Sequence, residues 1–136
     1  MGESAKHLQL VEQIIAYIQN ILEVEIVLIQ SDLPNCNNKP NLTMEGYRPD
    51  VYYNYRNFMV IGEAKTSADV ATKHSIRQYS SYLKKCSLFS GSAILIVAVP
   101  WTESKAVRNI LKKISTINNY KVEIIIINDV GKVENV

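Results

Sequence analysis

The sequence predicts an α/β protein in which a mixed β-sheet is flanked by helices. Two kinds of pattern support this prediction. Residues 4–22 and 104–114 carry apolar side chains at three- and four-residue steps, which indicates amphipathic helices. Residues 93–99 and 122–127 are almost continuously apolar, which is typical of strands covered on both faces. With the shorter elements below, the predicted order is α-β-β-β-α-β-α-β.

The first half of the chain supplies one helix and three strands. After the helix over residues 4–22, the short β-branched segment 24–30 predicts the first strand, and a loop rich in Pro, Asn, Asp and Ser follows it. Residues 47–53 and 58–64 predict two further strands, and the turn at 54–57 is expected to join them as a hairpin.

The second half of the chain alternates helix and strand. A helix is predicted over residues 69–85, followed by the strand at 93–99, which Pro100 ends. The candidate N-cap residues of this helix are Thr66, Ser67 and Asp69. Its predicted buried stripe consists of Ile76, Tyr79 and Leu83, and a neighbouring stripe consists of His74, Gln78 and Tyr82.

Length and composition indicate a single soluble domain. The 136 residues are enough for one hydrophobic core, and 47% hydrophobic with 21% charged residues is typical of a globular protein. The net charge of +2 is small, so a nucleic-acid-binding surface would have to be local.

Cysteine content and hydropathy set expectations for the compartment. Cys36 and Cys86 are far apart, and with two histidines they do not match a structural zinc site, so we expect a reducing, cytoplasmic environment. The N-terminal segment carries charges among its apolar residues, and no apolar run reaches the length of a membrane span. Neither a signal peptide nor a membrane partner is expected.

Two charges lie at the end of the third predicted strand. Glu63 and Lys65 project from the same face because side chains alternate along a strand, and hairpin pairing would bring Asp50 alongside them. Two carboxylates can bind Mg²⁺ or Mn²⁺, which neutralises charge on a phosphodiester, and a lysine can orient water or stabilise the anionic transition state. Glu12, in the first helix, is a candidate for a further carboxylate.

These residues carry a family resemblance. Pro49-Asp50, followed after twelve residues by Glu63-Ala64-Lys65, resembles the PD-(D/E)xK signature of the restriction-endonuclease-like nuclease superfamily. Gln78-Tyr-Ser-Ser-Tyr82 is similar to the QxxxY pattern of its RecB-like and resolvase-like branches. The resemblance covers about the first hundred residues, with the last helix and strand as an extension of the sheet, and residues 1–136 are predicted to form one restriction-endonuclease-like domain. The resemblance also implies that Asp50 and Glu63 are metal ligands, Lys65 the catalytic lysine, Glu12 an auxiliary acid and metal ligand, and Gln78 and Tyr82 active-site or DNA-positioning residues.

The predicted function is therefore a Mg²⁺- or Mn²⁺-dependent endonuclease that hydrolyses DNA. A homodimer would enlarge the DNA-binding surface and supply a second cutting centre. Two alternatives stay open: an inactive nucleic-acid-binding or interaction module with the same fold, and an endonuclease that cuts RNA. Basic residues interleaved with tyrosines could contact phosphates and bases, or could form an ordinary solvated face. The basic residues are Arg48, Arg56, Lys73, Arg77, Lys84 and Lys85, and the tyrosines are Tyr47, Tyr52, Tyr53 and Tyr55.

Simpler roles are also available for each candidate residue. Asp50 could be a turn residue after Pro49, and Glu63 with Lys65 could be an ion pair that protects a sheet edge. Glu12 could belong to the solvated rim of its helix, and Tyr82 could fill core volume. The ion pair explains Glu63 and Lys65 but not Asp50 with Pro49 before it, so the residues taken together favour a shared site.

Overall fold

The computed structural model describes residues 4–136, and these form a six-stranded mixed sheet with three α-helices. The mixed α/β class predicted from the sequence is confirmed. The helices are α1 (Ala5–Asn20), α2 (Lys73–Leu88) and α3 (Ser104–Asn118). The strands are β1 (Gln30–Ser31), β2 (Val51–Tyr55), β3 (Phe58–Ala64), β4 (Ser92–Val99), β5 (Glu123–Asn128) and β6 (Val133–Asn135).

The strands lie side by side in the order in which they occur along the chain. The neighbours β1, β2 and β3 are antiparallel, as in a meander, whereas β3, β4 and β5 run parallel. The helices α2 and α3 connect the parallel strands, and β6 returns antiparallel to β5. The carboxyl ends of β3, β4 and β5 therefore lie at the same end of the sheet.

The sheet separates two hydrophobic clusters. Helix α1 covers one face with a stripe of buried residues, and α2 and α3 cover the other. Along β4, Ile94, Ile96 and Ala98 face α1, while Leu95, Val97 and Val99 face α2 and α3. This alternation confirms that the strand predicted over residues 93–99 is covered on both sides.

The predicted first strand is largely wrong. Residues Ile26–Leu28 form a short 3-10 helix with exposed apolar side chains, and only Gln30–Ser31 pairs with β2. β-branched residues favour strands when a pleated, half-buried surface is available to pack them. This segment lies at the sheet margin without such a surface.

Two elements begin later than predicted, and one strand was not predicted. Strand β2 begins at Val51, because Tyr47 belongs to a turn in which its N–H and C=O both bond to Thr43. Helix α2 begins later than expected, with Thr72 as the N-cap, and Ile76 is 38% exposed rather than buried. Strand β6 was not predicted, since it is short and follows β5 through a tight turn at Gly131, where φ is +91°.

Gly62 lets α1 approach the strand that carries Glu63. A Cβ at this position would lie 2.7 Å from Ile14 Cγ2 and 3.1 Å from Val51 Cβ. We expect Gly62→Ala to lower the free energy of unfolding by about 1–3 kcal/mol through overpacking, measured by urea denaturation. Ile14→Leu, which removes the β-branched methyl, should offset part of this loss in the double variant. Additive losses would contradict a direct contact.

Candidate active site

The hairpin β2–β3 places Asp50 across from Glu63. Its two-residue turn, Arg56–Asn57, has φ of +51° and +63°, as in the primed turns whose twist matches that of paired strands. The resulting register pairs Val51 with Gly62, so Asp50 is the next residue across from Glu63. The sequence prediction that pairing brings these two residues together is confirmed in the structure.

Asp50 is held by the strand that it faces. Its Oδ2 accepts a hydrogen bond of 2.9 Å from the Ala64 N–H, and His7 Nε2 lies 3.3 Å from the same oxygen. The Asp50 carbonyl accepts a further bond from the Asp32 N–H at 2.9 Å. With 8% of its surface exposed, Asp50 is a fixed, nearly buried carboxylate rather than a flexible turn residue.

Glu63 is the most deeply placed acid of the site, at 4% exposure. Its Oε1 accepts a hydrogen bond of 3.0 Å from the Tyr82 hydroxyl, and its Oε2 lies 3.3 Å from Lys65 Nζ. Burial and, to a smaller extent, the negative charge of Asp50 raise the pKa of Glu63 from 4.5 to about 8. A cation between these carboxylates would therefore relieve an unfavourable concentration of negative charge.

Lys65 extends the chain of contacts from the sheet to α2. Its Nζ donates to Gln78 Oε1 in addition to its ion pair with Glu63, and the side chain is almost fully buried. Its backbone N–H donates to the Ala98 carbonyl at 2.9 Å, which ties the residue to β4. The ammonium group is thus held between a carboxylate and an amide oxygen.

Helix α2 presents Gln78 and Tyr82 one turn apart toward β3. Burial, together with the nearby charge of Glu63, raises the pKa of Tyr82 well above its ordinary value, so its hydroxyl remains a hydrogen-bond donor. The sequence stripe that paired these two residues is confirmed. The same stripe also contained His74, which is exposed and packs edge-on against Tyr47.

Glu12 does not join the site, contrary to the expectation for an auxiliary acid and metal ligand. It is exposed, because it lies on the side of α1 opposite the buried residues Leu10, Ile14 and Ile18. The α1 residue that reaches Asp50 is His7, which sequence reasoning missed. In the structure His7 lies one turn before the buried residues Leu10 and Val11, on the side of α1 that packs against the sheet.

The basic residues do not gather in one patch. Arg56 lies in the β2–β3 turn, at the opposite end of β3 from Glu63, and its guanidinium stacks on Tyr55. Lys84 pairs with Glu45 at 3.4 Å, and Lys85 lies over the Tyr52 ring. Arg48, Lys73 and Arg77 are exposed.

The donor set suits a hard divalent cation. Asp50 and Glu63 offer carboxylate oxygens, which Mg²⁺ and Mn²⁺ prefer, and Mg²⁺ commonly binds through one or two carboxylates with water completing its shell. Within residues 4–136, no group of three or more His, Cys, Asp or Glu side chains is arranged to hold a metal ion. A metal here would therefore rely on two carboxylates, with water and substrate as its other ligands.

Comparison with protein-family models, with curated proteins and with solved structures finds no significant match to this chain. The resemblance to the PD-(D/E)xK nucleases thus depends on the sequence motifs alone. In the part of the chain that the structure describes, no helix is both long and apolar enough to cross a membrane.

Proposed function

We propose that the protein is a metal-dependent endonuclease that hydrolyses DNA phosphodiester bonds. The observation that carries the proposal is the convergence of Asp50, Glu63 and Lys65 at the carboxyl end of β3. Lys65 Nζ lies 3.3 Å from the Glu63 carboxylate. An edge-protecting ion pair does not account for this arrangement, because β3 is an interior strand between β2 and β4.

Each residue has a defined part in this proposal. Asp50 and Glu63 would hold Mg²⁺ or Mn²⁺, which when bound neutralises phosphate charge and lowers the pKa of water. Lys65 supplies a positive charge that stabilises the negative charge developing on the phosphate. Gln78 and Tyr82 hold Lys65 and Glu63 in place, and His7 does the same for Asp50.

The second candidate function is a nucleic-acid-binding or interaction module without turnover. The burial of the site favours it, because Asp50, Glu63 and Lys65 are each less than one-tenth exposed. A module of this kind would bind nucleic acid equally well with or without a divalent metal. A nuclease would cut only when the metal is present.

Incubation of the purified protein with nucleic acids tests the proposal directly. Supercoiled plasmid, linear duplex, single-stranded DNA, a four-way junction and single-stranded RNA would each be incubated with EDTA, Mg²⁺ or Mn²⁺. We expect cutting of DNA with either metal and none with EDTA, because two carboxylates alone cannot activate water or neutralise phosphate charge.

Each other outcome has a defined meaning. Binding without cutting in every metal would overturn the nuclease proposal in favour of the module. Cutting of RNA but not of DNA would keep the chemistry and change the substrate. Sedimentation of the protein with and without DNA would show whether two copies act together, as a homodimeric nuclease would require.

A further inference from the structure

We propose that Trp101 stacks on an unpaired base of the nucleic acid, so that the preferred substrate has single-stranded nucleotides beside the bond that is cut. This inference rests on the proposed nuclease function and specifies its substrate. The exposure, the anchoring and the position of Trp101 support this role.

Trp101 is unusually exposed for its type. It begins the short 3-10 helix Trp101–Glu103 directly after β4, and 62% of its surface is accessible. Exposing an indole to water forfeits the large favourable free energy that its burial would contribute. Aromatic rings held at a protein surface are common where single-stranded nucleic acid binds, because every base offers a face for stacking.

The backbone of Trp101 is tied to the rest of the fold. Its N–H donates to Asp129 Oδ1 at 2.8 Å, and the other oxygen of Asp129 lies 3.0 Å from Lys6 Nζ on α1. Pro100 restricts the chain immediately before it. The indole is thus carried by a fixed segment, which lowers the entropy cost of placing it against a ligand.

Trp101 lies at the carboxyl end of the parallel strands, as does the candidate active site. Lys65 bonds through its N–H to the Ala98 carbonyl, and Trp101 follows Ala98 by three residues. Three residues span at most about 10 Å. Since successive nucleotides of a stacked strand rise by about 3.4 Å, a strand in the site would bring its neighbouring bases within reach of the indole.

The surface beside the indole suits a nucleotide. A depression of about 370 Å³ is lined by Trp101, Ser104, Ile126, Asn128, Val130, Lys132 and Glu134. It thus combines an aromatic face with apolar and hydrogen-bonding groups, and its one cation is balanced by a carboxylate, so the indole is the feature that suits a base. Bases in a continuous duplex are already stacked on their neighbours, so a side chain can stack only where a base is unpaired.

Fluorescence provides a direct test because Trp101 is the single tryptophan of the chain. With EDTA present to prevent cutting, a short single-stranded oligothymidylate should quench the emission saturably, and a blunt-ended duplex of equal length should quench it much less. Affinity would be measured independently by the anisotropy of the same oligonucleotides labelled with fluorescein.

Variants separate stacking from other contacts. Trp101→Ala should weaken single-strand binding by at least about fivefold, the loss expected for one base–aromatic stack, and Trp101→Phe should weaken it less. Ile117→Ala is the control, since Ile117 is also an exposed apolar side chain (70%) but lies at the far end of α3 from Trp101. Its affinity should equal that of the wild type.

Several results would overturn the inference: absence of quenching, equal quenching by the duplex, or unchanged affinity in Trp101→Ala. Cutting by the wild type with an unchanged KM in Trp101→Ala would remove the stacking role and leave the nuclease proposal intact. Quenching and weakened binding in a protein that cuts nothing would support stacking and remove the nuclease proposal.

Discussion

Lys65→Met is expected to lower metal-dependent DNA cutting by at least about a hundredfold, the usual cost of removing one group that stabilises transition-state charge. Methionine retains most of the buried side-chain volume but carries no charge. The variant also loses the contacts of Nζ with Glu63 and Gln78. Because the lost charge acts on the transition state, the effect should appear in kcat more than in KM. Initial rates on plasmid DNA in Mg²⁺ would measure it.

Lys112→Met is the matched control, because Lys112 is exposed on α3. It should cut at the wild-type rate. Circular dichroism and urea denaturation of both variants would establish that they are folded. Retained cutting in a folded Lys65→Met protein would remove Lys65 from the catalytic machinery and leave its ion pair as a structural feature.

Glu63→Gln is expected to abolish metal-dependent cutting. In the metal-free protein it should also remove the decrease in the free energy of unfolding that the wild type shows as the pH rises. Burial and the charge of Asp50 raise the pKa of Glu63 from 4.5 to about 8 in the folded state. Each pKa unit corresponds to about 1.4 kcal/mol, so ionising Glu63 costs the fold on the order of 5 kcal/mol. Glutamine is nearly isosteric and does not ionise.

The sign of this effect follows from proton binding. Between about pH 4.5 and about pH 8 the folded protein binds more protons than the unfolded chain, so the free energy of unfolding falls as the pH rises. The stability that the fold has with Glu63 protonated is present in full below this pH window and is lost above it. In Glu63→Gln this decrease should be absent.

Urea denaturation in EDTA across the same pH range would measure the difference. Glu12→Gln is the matched control, since Glu12 is an exposed acid on α1, and it should follow the wild type. It should also cut DNA normally. Parallel pH profiles for the wild type and Glu63→Gln would show that Glu63 is ionised in the folded protein across the whole range.

Elements with strong periodicity were predictable from the sequence. Strand β3 has the predicted bounds, and β4 and α3 begin within one residue of prediction. Their apolar side chains pack on the faces that the pattern indicated, so local preference and tertiary packing agree. The short elements were not predictable, because tertiary pairing decides whether a β-branched segment such as 24–30 extends or turns.

The candidate site was predictable in part for a similar reason. Alternation along β3 and the hairpin register bring Asp50, Glu63 and Lys65 together, and the helical spacing of Gln78 and Tyr82 directs both toward them. Glu12 and His7 show the limit of this reasoning. Both lie on α1, and only the rotation of that helix against the sheet decides which of them reaches Asp50.

The sequence by itself determined the α/β class, the strand β3 with Glu63 in it and Lys65 directly after it, and the motif that brings a carboxylate alongside them. These follow from side-chain periodicity, which is a local property of the chain. Tertiary structure alone decided the burial of the site, the selection of His7 over Glu12 and the raised pKa of Glu63. These depend on how α1 and α2 pack on the sheet, and on the water that this packing excludes.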